Sequence, residues 1–197
     1  RFSGARPMRI LVLGGSLGSA PLNELLPAIT ARLVSQGYGD TISVWHQCGE
    51  RNRSNAELAW RQHSFCNLRL DAYIDDMATA YGWADVVISR AGALTVSELA
   101  QTGTAAILIP LPHAIDDHQT ANAHAMDEAG GGWLIPDEAL TADSLAHRLQ
   151  TLLKMPRSLQ NAAEAAKRAG RPEAGSALAD LILRLVSDND DSPGWER

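Results

Sequence analysis

The sequence lacks the features that several classes of protein require. It has only two cysteines, Cys48 and Cys66, which lie far apart and form no C-x-x-C pair, as expected for a reduced, cytoplasmic setting. It has no basic run, and its formal net charge is −6, which argues against a nucleic-acid partner. No apolar run approaches the roughly 18 residues of a membrane-spanning helix, and no stretch resembles a secretory signal.

The composition is that of an ordinary globular protein. Of the 197 residues, 45% are hydrophobic and 20% are charged, enough for one domain with a proper core. Residues 1–7 resemble a linker that leads into a strand, and the polar, acidic residues 187–197 resemble a disordered tail. We therefore expect one domain over residues 8–186, and we expect the chain to be a piece of a longer protein.

Strand-like and helix-like segments alternate along the chain. Apolar, β-branched runs predict strands near residues 8–14, 41–49, 67–74, 85–89, 105–110 and 132–136, and helical patterns lie between them. Three more helices are predicted over residues 141–153, 157–169 and 174–186. This alternation predicts an α/β fold with a Rossmann-like, doubly wound parallel sheet. Ligands bind at the carboxyl ends of such strands, so the turns after Leu13, Trp45, Ile88 and Pro110 are the candidate sites.

The first of these turns is rich in glycine. In "LVLGGSLGSAPLNE", Gly14, Gly15 and Gly18 allow close approach of a ligand, and Ser16 adds a hydroxyl donor before the next helix. The segment is neither a Walker A motif nor G-x-G-x-x-G. It predicts a phosphate site, with a simple tight turn as the alternative.

The second turn disfavours a nicotinamide cofactor. Dinucleotide-binding domains end their second strand with an acidic residue that holds the ribose. Here the strand ends in "VWHQCGE", which offers His46 and Gln47, while Glu50 lies beyond the glycine.

The third turn, "SRAGALTVSELAQTG", supports two interpretations. Thr95 and Glu98 match a capping box, in which the Thr95 side chain caps the helix and Glu98 closes the box. Alternatively, the helix start attracts a diphosphate and Glu98 accepts hydrogen bonds from vicinal ribose hydroxyls.

The fourth turn, "IPLPHAIDDHQTANAHA", is polar. His118, Gln119 and Asn122 share one face of the predicted helix, which suits hydrogen bonding to sugar hydroxyls. A metal site built from two histidines and two aspartates is a rival, but the spacing matches no standard ligand pattern. A helix capped by Asp116 or Asp117 with solvated neighbours is the remaining alternative.

Taken together, these segments resemble a known family. "LVLGGSLGSAPLNELLP", "YIDDMATAYGWADVVISRAGALTVSELAQTGTAAILIPLPHAIDDHQTANA" and "AGGGWLI" are similar to the nucleotide-sugar half of the MurG glycosyltransferases, over residues 8–153. That family transfers N-acetylglucosamine from UDP-N-acetylglucosamine to lipid I, making lipid II for peptidoglycan. The resemblance implies the C-terminal domain of a GT-B fold, in which two Rossmann-like domains face a cleft.

The resemblance also implies roles for single residues. Ser16 would contact the diphosphate region, and Ile74 would meet uracil through its backbone. Ala93, Leu94 and Thr95 would face the diphosphate and sugar, Glu98 the ribose, and Gln119 the N-acetylglucosamine hydroxyls. Further candidates are Gly15, Gly18, Arg90, His118 and Asn122, and for Arg90 both ligand contact and bracing of the turn remain open.

For the whole enzyme the resemblance implies an inverting displacement without metal or cofactor, at the inner face of the bacterial plasma membrane. The lipid I acceptor would bind the family's N-terminal domain, where the catalytic residues are expected and which this sequence does not contain. The chain alone would bind donor without catalysing. A UDP-N-acetylglucosamine 2-epimerase and a non-catalytic nucleotide-binding module are the rival functions. The sequence does not fix the oligomeric state.

Overall fold

The computed structural model describes residues 2–15, 19–63, 65–112 and 117–190, and it contains a six-stranded parallel sheet. The strands are β1 (Met8–Leu13), β2 (Ile42–Gln47), β3 (Leu68–Asp71), β4 (Val86–Ser89), β5 (Ala105–Leu108) and β6 (Gly132–Leu134). Their order in the sheet is β3-β2-β1-β4-β5-β6. This is the order of doubly wound nucleotide-binding domains, so the predicted Rossmann-like α/β fold is confirmed.

Helices connect and follow the strands. They are α1 (Ala20–Ser35), α2 (Arg53–Arg61), α3 (Met77–Trp83), α4 (Ala93–Thr102), α5 (His118–Glu128), α6 (Ala142–Lys154), α7 (Pro156–Ala169) and α8 (Ala174–Asp190). Asp76 caps α3 by accepting the Thr79 N–H. Helix α1 begins at Ala20 and passes through Pro27.

The sheet is buried on both faces. Side chains of neighbouring strand residues alternate between the two sides, so Ile10 and Val12 join one hydrophobic cluster and Leu11 and Leu13 the other. The first cluster includes apolar residues of α1, α6 and α7, and the second includes residues of α3, α4 and α5. Burial on both faces explains why the strands have continuous apolar sequences instead of alternating ones.

The chain changes direction in the sheet between β1 and β4. After β1 it proceeds outward through β2 and β3, and it then returns to β4 and proceeds outward on the other side through β5 and β6. Leu13 of β1 is in register with Ser89 of β4, which is in register with Leu108 of β5. The turns that follow these three strands therefore lie next to one another. The crevice at such a switch point is where open α/β sheets bind ligands.

The two ends of the described chain differ in packing. Phe2 is buried, and Arg6 donates two hydrogen bonds to the Asp85 carboxylate at 2.6 and 2.8 Å, so this segment is attached to the domain. By contrast, the α8 side chains are exposed as far as Val186. Helix α8 continues to Asp190, so residues 187–190 of the expected tail are helical, and residues 191–197 lie outside the described residues.

Within the described ranges, no helix combines the length and the apolar character needed to cross a membrane.

Candidate functional site

The start of α4 lies at the switch point with exposed backbone donors. Gly92 is the N-cap residue, and the first intrahelical bond runs from the Val96 N–H to the Gly92 carbonyl at 3.0 Å. The N–H groups of Ala93, Leu94 and Thr95 precede that bond and have no acceptor within the helix. No side chain among the described residues caps this end, and Leu94 is 73% exposed. The helix therefore presents N–H groups and a positive dipole end to the crevice.

The predicted capping box is wrong. The helix begins at Ala93, so Thr95 is already inside the first turn and cannot serve as the N-cap residue. Glu98 lies in the second turn, too far along to close a box. Its carboxylate has a different protein partner, the phenol of Tyr81 on α3, whose hydroxyl donates to Glu98 Oε2 at 2.8 Å.

Tyr81 is a residue that the sequence analysis missed. It is 3% exposed, and burial together with the Glu98 carboxylate raises the pKa of its phenol above the ordinary range. The hydroxyl therefore stays protonated and donates. The available signal was a tyrosine at a buried position of α3, because a buried phenol needs a hydrogen-bond partner.

Arg90 braces the neighbouring turn. Its Nη1 donates to the carbonyl oxygens of Ile109 and Pro110 at 3.3 and 3.0 Å and to Asp137 Oδ1 at 2.5 Å. The Arg90 side chain is only 16% exposed. These are bracing contacts, and through them Arg90 holds the segment after β5. Asp137, its acidic partner, was also missed.

Helix α5 is tied to the same turns through its polar face. Gln119 Oε1 accepts the Leu111 N–H at 3.0 Å, and Asn122 Nδ2 donates to the Ala91 carbonyl at 3.0 Å. The third and fourth turns are therefore joined directly. They lie side by side because β4 and β5 are neighbouring parallel strands. His118 is exposed at the start of the helix.

Asp117 precedes α5 in a left-handed conformation, with φ of 51°. Aspartate tolerates this region better than most residues. Asp117 occupies the N-cap position, as the alternative of an aspartate cap requires, but its carboxylate accepts the Thr120 hydroxyl at 2.6 Å instead of a backbone N–H. His113 and Asp116 of the rival metal site lie outside the described residues. Where the structure describes the chain, no group of three or more histidine, cysteine or acidic side chains could hold a metal ion.

The glycine-rich turn is described only in part. Gly15 has a positive φ of 75°, whereas Ser16 and Gly18 lie outside the described residues. Ser19 is the N-cap residue of α1, and its Oγ is buried without a hydrogen-bond partner among the described residues. Ser89 Oγ, at the end of β4, is in the same condition. Two hydroxyls are thus buried without described partners at the carboxyl edge of the sheet.

His46 has a structural role at the end of β2. Trp60 Nε1 donates to its Nδ1 at 3.0 Å, so Nε2 carries the proton and donates to Asn23 Oδ1 at 2.9 Å. Asn23 Nδ2 in turn donates to the Cys48 carbonyl at 2.9 Å. Burial lowers the pKa of His46 to about 4, so the ring is neutral near pH 7. This network connects β2 to α1 and α2.

Ile74 lies between β3 and α3, and its side chain is 6% exposed in the cluster that also contains Tyr81. Ile74, Tyr81 and Glu98 thus connect the end of β3 to the second turn of α4.

The fold and the site define a doubly wound α/β domain with an open helix N-terminus at its switch point. Residues 9–182 match the family described as the glycosyltransferase family 28 C-terminal domain, and the chain belongs to that family. The resemblance found in the sequence is therefore confirmed.

Two relatives show how far the similarity extends. The chain is 45% identical over 185 residues to the UDP-N-acetylglucosamine--N-acetylmuramyl-(pentapeptide) pyrophosphoryl-undecaprenol N-acetylglucosamine transferase of Aeromonas hydrophila. That match covers 94% of the chain and 50% of the relative, so the chain spans about half the length of the curated relatives it matches. The crystal structure of Acinetobacter baumannii MurG superposes with a TM-score of 0.82 at 36% identity, covering 93% of this chain and 54% of the other.

A more distant structure shares the fold alone. The UDP-GlcNAc 2-epimerase from Neisseria meningitidis, solved with UDP-GlcNAc bound, superposes with a TM-score of 0.62 at 14% identity. The superposition covers 91% of this chain and 45% of the epimerase chain.

Proposed function

We propose that this chain is the donor-binding half of an inverting glycosyltransferase that moves N-acetylglucosamine from UDP-N-acetylglucosamine to lipid I. The observation that carries the proposal is the uncapped start of α4 at the switch point, flanked by Glu98 and Gln119. The family and the name of the Aeromonas relative supply the substrate.

In this proposal each side of the crevice binds one part of the donor. The N–H groups of Ala93, Leu94 and Thr95 hold the diphosphate, because a helix N-terminus combines free donors with a positive dipole end. Gly15 also contacts the diphosphate in this proposal, together with Ser16 and Gly18, which lie outside the described residues. Ile74 meets uracil through its backbone, Glu98 accepts the ribose hydroxyls, and Gln119 binds the sugar.

The same arrangement supports the chemistry. In an inverting displacement the acceptor hydroxyl attacks the anomeric carbon while UDP departs, so negative charge grows on the diphosphate. Fixed N–H donors aimed at that charge stabilise the transition state more than the ground state. We therefore expect no requirement for a metal ion or cofactor in donor binding.

The other half of the relatives' length supplies the remaining functions in this proposal. Lipid I binds there, the catalytic residues lie there, and the whole protein is peripheral on the inner face of the plasma membrane. The isolated chain then binds donor and does not catalyse transfer.

Calorimetric titration in the presence of EDTA tests the proposal. We expect UDP and UDP-N-acetylglucosamine to bind, and UDP-glucose and NAD to bind more weakly or not at all. Binding that appears only after magnesium is added would contradict the metal-free site. Preference for NAD would overturn the donor assignment. A UDP-N-acetylglucosamine 2-epimerase would also bind this donor, but its likeness to this chain, 14% identity for the Neisseria enzyme, extends to the fold alone.

A further inference from the structure

Tyr81 and Glu98 form a contact that donor binding by itself does not explain. The Tyr81 hydroxyl donates to Glu98 Oε2 at 2.8 Å, which links α3 to α4. Tyr81 is 3% exposed, while Glu98 is half-buried. The contact thus runs from the core outward to the side chain that the proposed function assigns to ribose.

We propose that Tyr81 is the positioning residue for ribose recognition, holding the Glu98 carboxylate in the orientation that accepts the two vicinal hydroxyls. This inference rests on the proposed function, because it requires the ribose to meet Glu98. Tyr81 itself touches no part of the donor.

The geometry gives the phenol control over the carboxylate. The Tyr81 ring is packed in the cluster that contains Leu99 and Ala80, so its hydroxyl has a fixed position. A glutamate side chain is otherwise rich in rotamers, and ordering such a side chain on binding opposes affinity. With Oε2 already bonded to Tyr81, fewer rotamers of the Glu98 side chain remain to be ordered when ligand arrives. Its remaining acceptor capacity, including that of Oε1, is then available to the ribose hydroxyls.

The protonation of the phenol supports the direction of the bond. Burial and the nearby carboxylate raise the pKa of Tyr81 above the ordinary range for tyrosine. The phenol therefore remains a donor across the working pH range and never competes with ribose as a second anion. If the contact only joined α3 to α4, the hydrogen bond would still be needed. Its loss would then not change the relative affinities of the protein for different nucleotides.

The two roles separate in a comparison of UDP with 2′-deoxyuridine diphosphate. Both ligands carry the same base and diphosphate, but the second lacks one of the hydroxyls that Glu98 would accept. We expect wild-type protein to prefer UDP. In Tyr81→Phe the ring stays in the core and the hydroxyl is lost, so UDP affinity should fall about five- to tenfold, which corresponds to one hydrogen bond. Affinity for the deoxy ligand should change much less.

Glu98→Gln and the double variant complete the cycle. If Tyr81 acts through the carboxylate, Tyr81→Phe should weaken UDP binding little further in the Glu98→Gln background. Tyr38→Phe is the matched control, because Tyr38 is a partly buried tyrosine packed against the other core cluster. It should leave both affinities unchanged.

Three outcomes are decisive. If Tyr81→Phe prefers UDP over 2′-deoxyuridine diphosphate by a smaller factor than the wild type does, the positioning role is supported. An unchanged preference, with or without a lower melting temperature, overturns it and leaves a structural contact, while UDP binding by the wild type keeps the proposed function intact. If wild-type protein does not bind UDP, the proposed function fails and the positioning role fails with it.

Discussion

Glu98 lies in the second turn of α4, with one carboxylate oxygen bonded to Tyr81. Because no capping box exists, its charge has no role in starting the helix. Glu98→Gln keeps an amide oxygen for the Tyr81 hydroxyl and removes the charge. Loss of a charge-assisted bond to ribose should weaken UDP binding by about 1.5–3 kcal/mol, with little change in melting temperature. Calorimetry and thermal unfolding measure the two effects.

Glu57→Gln is the matched control for this substitution. Glu57 lies on α2 and pairs with Arg53 on the surface, so the same chemical change occurs there away from the switch point. UDP affinity should be that of the wild type in the control. Equal affinities in folded Glu98→Gln protein and wild type would refute the ribose contact.

Gln119 offers the sugar mainly its amide donors, since its Oε1 already accepts the Leu111 N–H. Gln119→Ala should weaken UDP-N-acetylglucosamine binding by about 1 kcal/mol and leave UDP binding within error. The helix should survive, because alanine is the better helix former. The ratio of the two affinities, measured by calorimetry, is the decisive quantity.

Gln119→Glu separates sugar contact from support of the turn. It retains an acceptor for Leu111 and loses the amide donors. If the Gln119 side chain hydrogen-bonds the sugar, both Gln119→Ala and Gln119→Glu should change the ratio of the UDP-N-acetylglucosamine and UDP affinities. If only Gln119→Ala changes the ratio, the effect comes from the turn at Leu111. If neither variant changes it, Gln119 does not contact the sugar and the segment is a solvated helix start.

At the scale of elements, the His46 network connects β2, α1 and α2 and makes stability depend on pH. The pKa of His46 is lowered to about 4, against about 6.5 in an unfolded chain. Between these values the unfolded state binds the proton more readily, so stability decreases as pH falls from 6.5 towards 4. The full contribution is present above pH 6.5, and about 3 kcal/mol should be lost by pH 4.

His46→Gln tests this contribution. Glutamine can accept from Trp60 and donate to Asn23, but it does not titrate. Urea unfolding at several pH values gives the free energy of unfolding as a function of pH. Between pH 6.5 and pH 4 its slope should be shallower for His46→Gln than for the wild type. Parallel slopes would show that other groups cause the acid sensitivity.

The contrast between α3 and α4 shows what local sequence can specify about helix ends. Asp76 caps α3 in the way a local pattern can indicate, because an aspartate directly before a helix bonds its first turn. At α4 a better-looking motif failed, because the chain leaves β4 and enters the helix at Gly92.

At the scale of the whole molecule, α8 stands apart from the buried sheet. Its apolar side chains at Leu178, Leu181, Ile182 and Leu185 are between 52% and 58% exposed. Exposed side chains add little to stability, and contiguous apolar surface promotes association. Truncation after Gly175 should therefore change the free energy of unfolding by no more than about 0.5 kcal/mol.

Urea unfolding and sedimentation measure the effect of that truncation. We also expect less concentration-dependent self-association in the shortened chain. A loss of several degrees in melting temperature would contradict the prediction and assign α8 a place in the domain. A second variant carries Leu178→Ser and Ile182→Ser in the full chain. It should also reduce self-association.

The sequence by itself determined the strands, the alternating order and the four turns of the crevice, since buried parallel strands need continuous apolar runs and right-handed crossovers leave few topologies. It also determined the family, because the turn motifs are local. The tertiary structure alone decided which side chains meet. Tyr81 reaches Glu98, Arg90 reaches Asp137, and His46 lies between Asn23 and Trp60. These partners are distant in sequence, and their contacts depend on strand register and on how helices pack against the sheet, which no local pattern specifies.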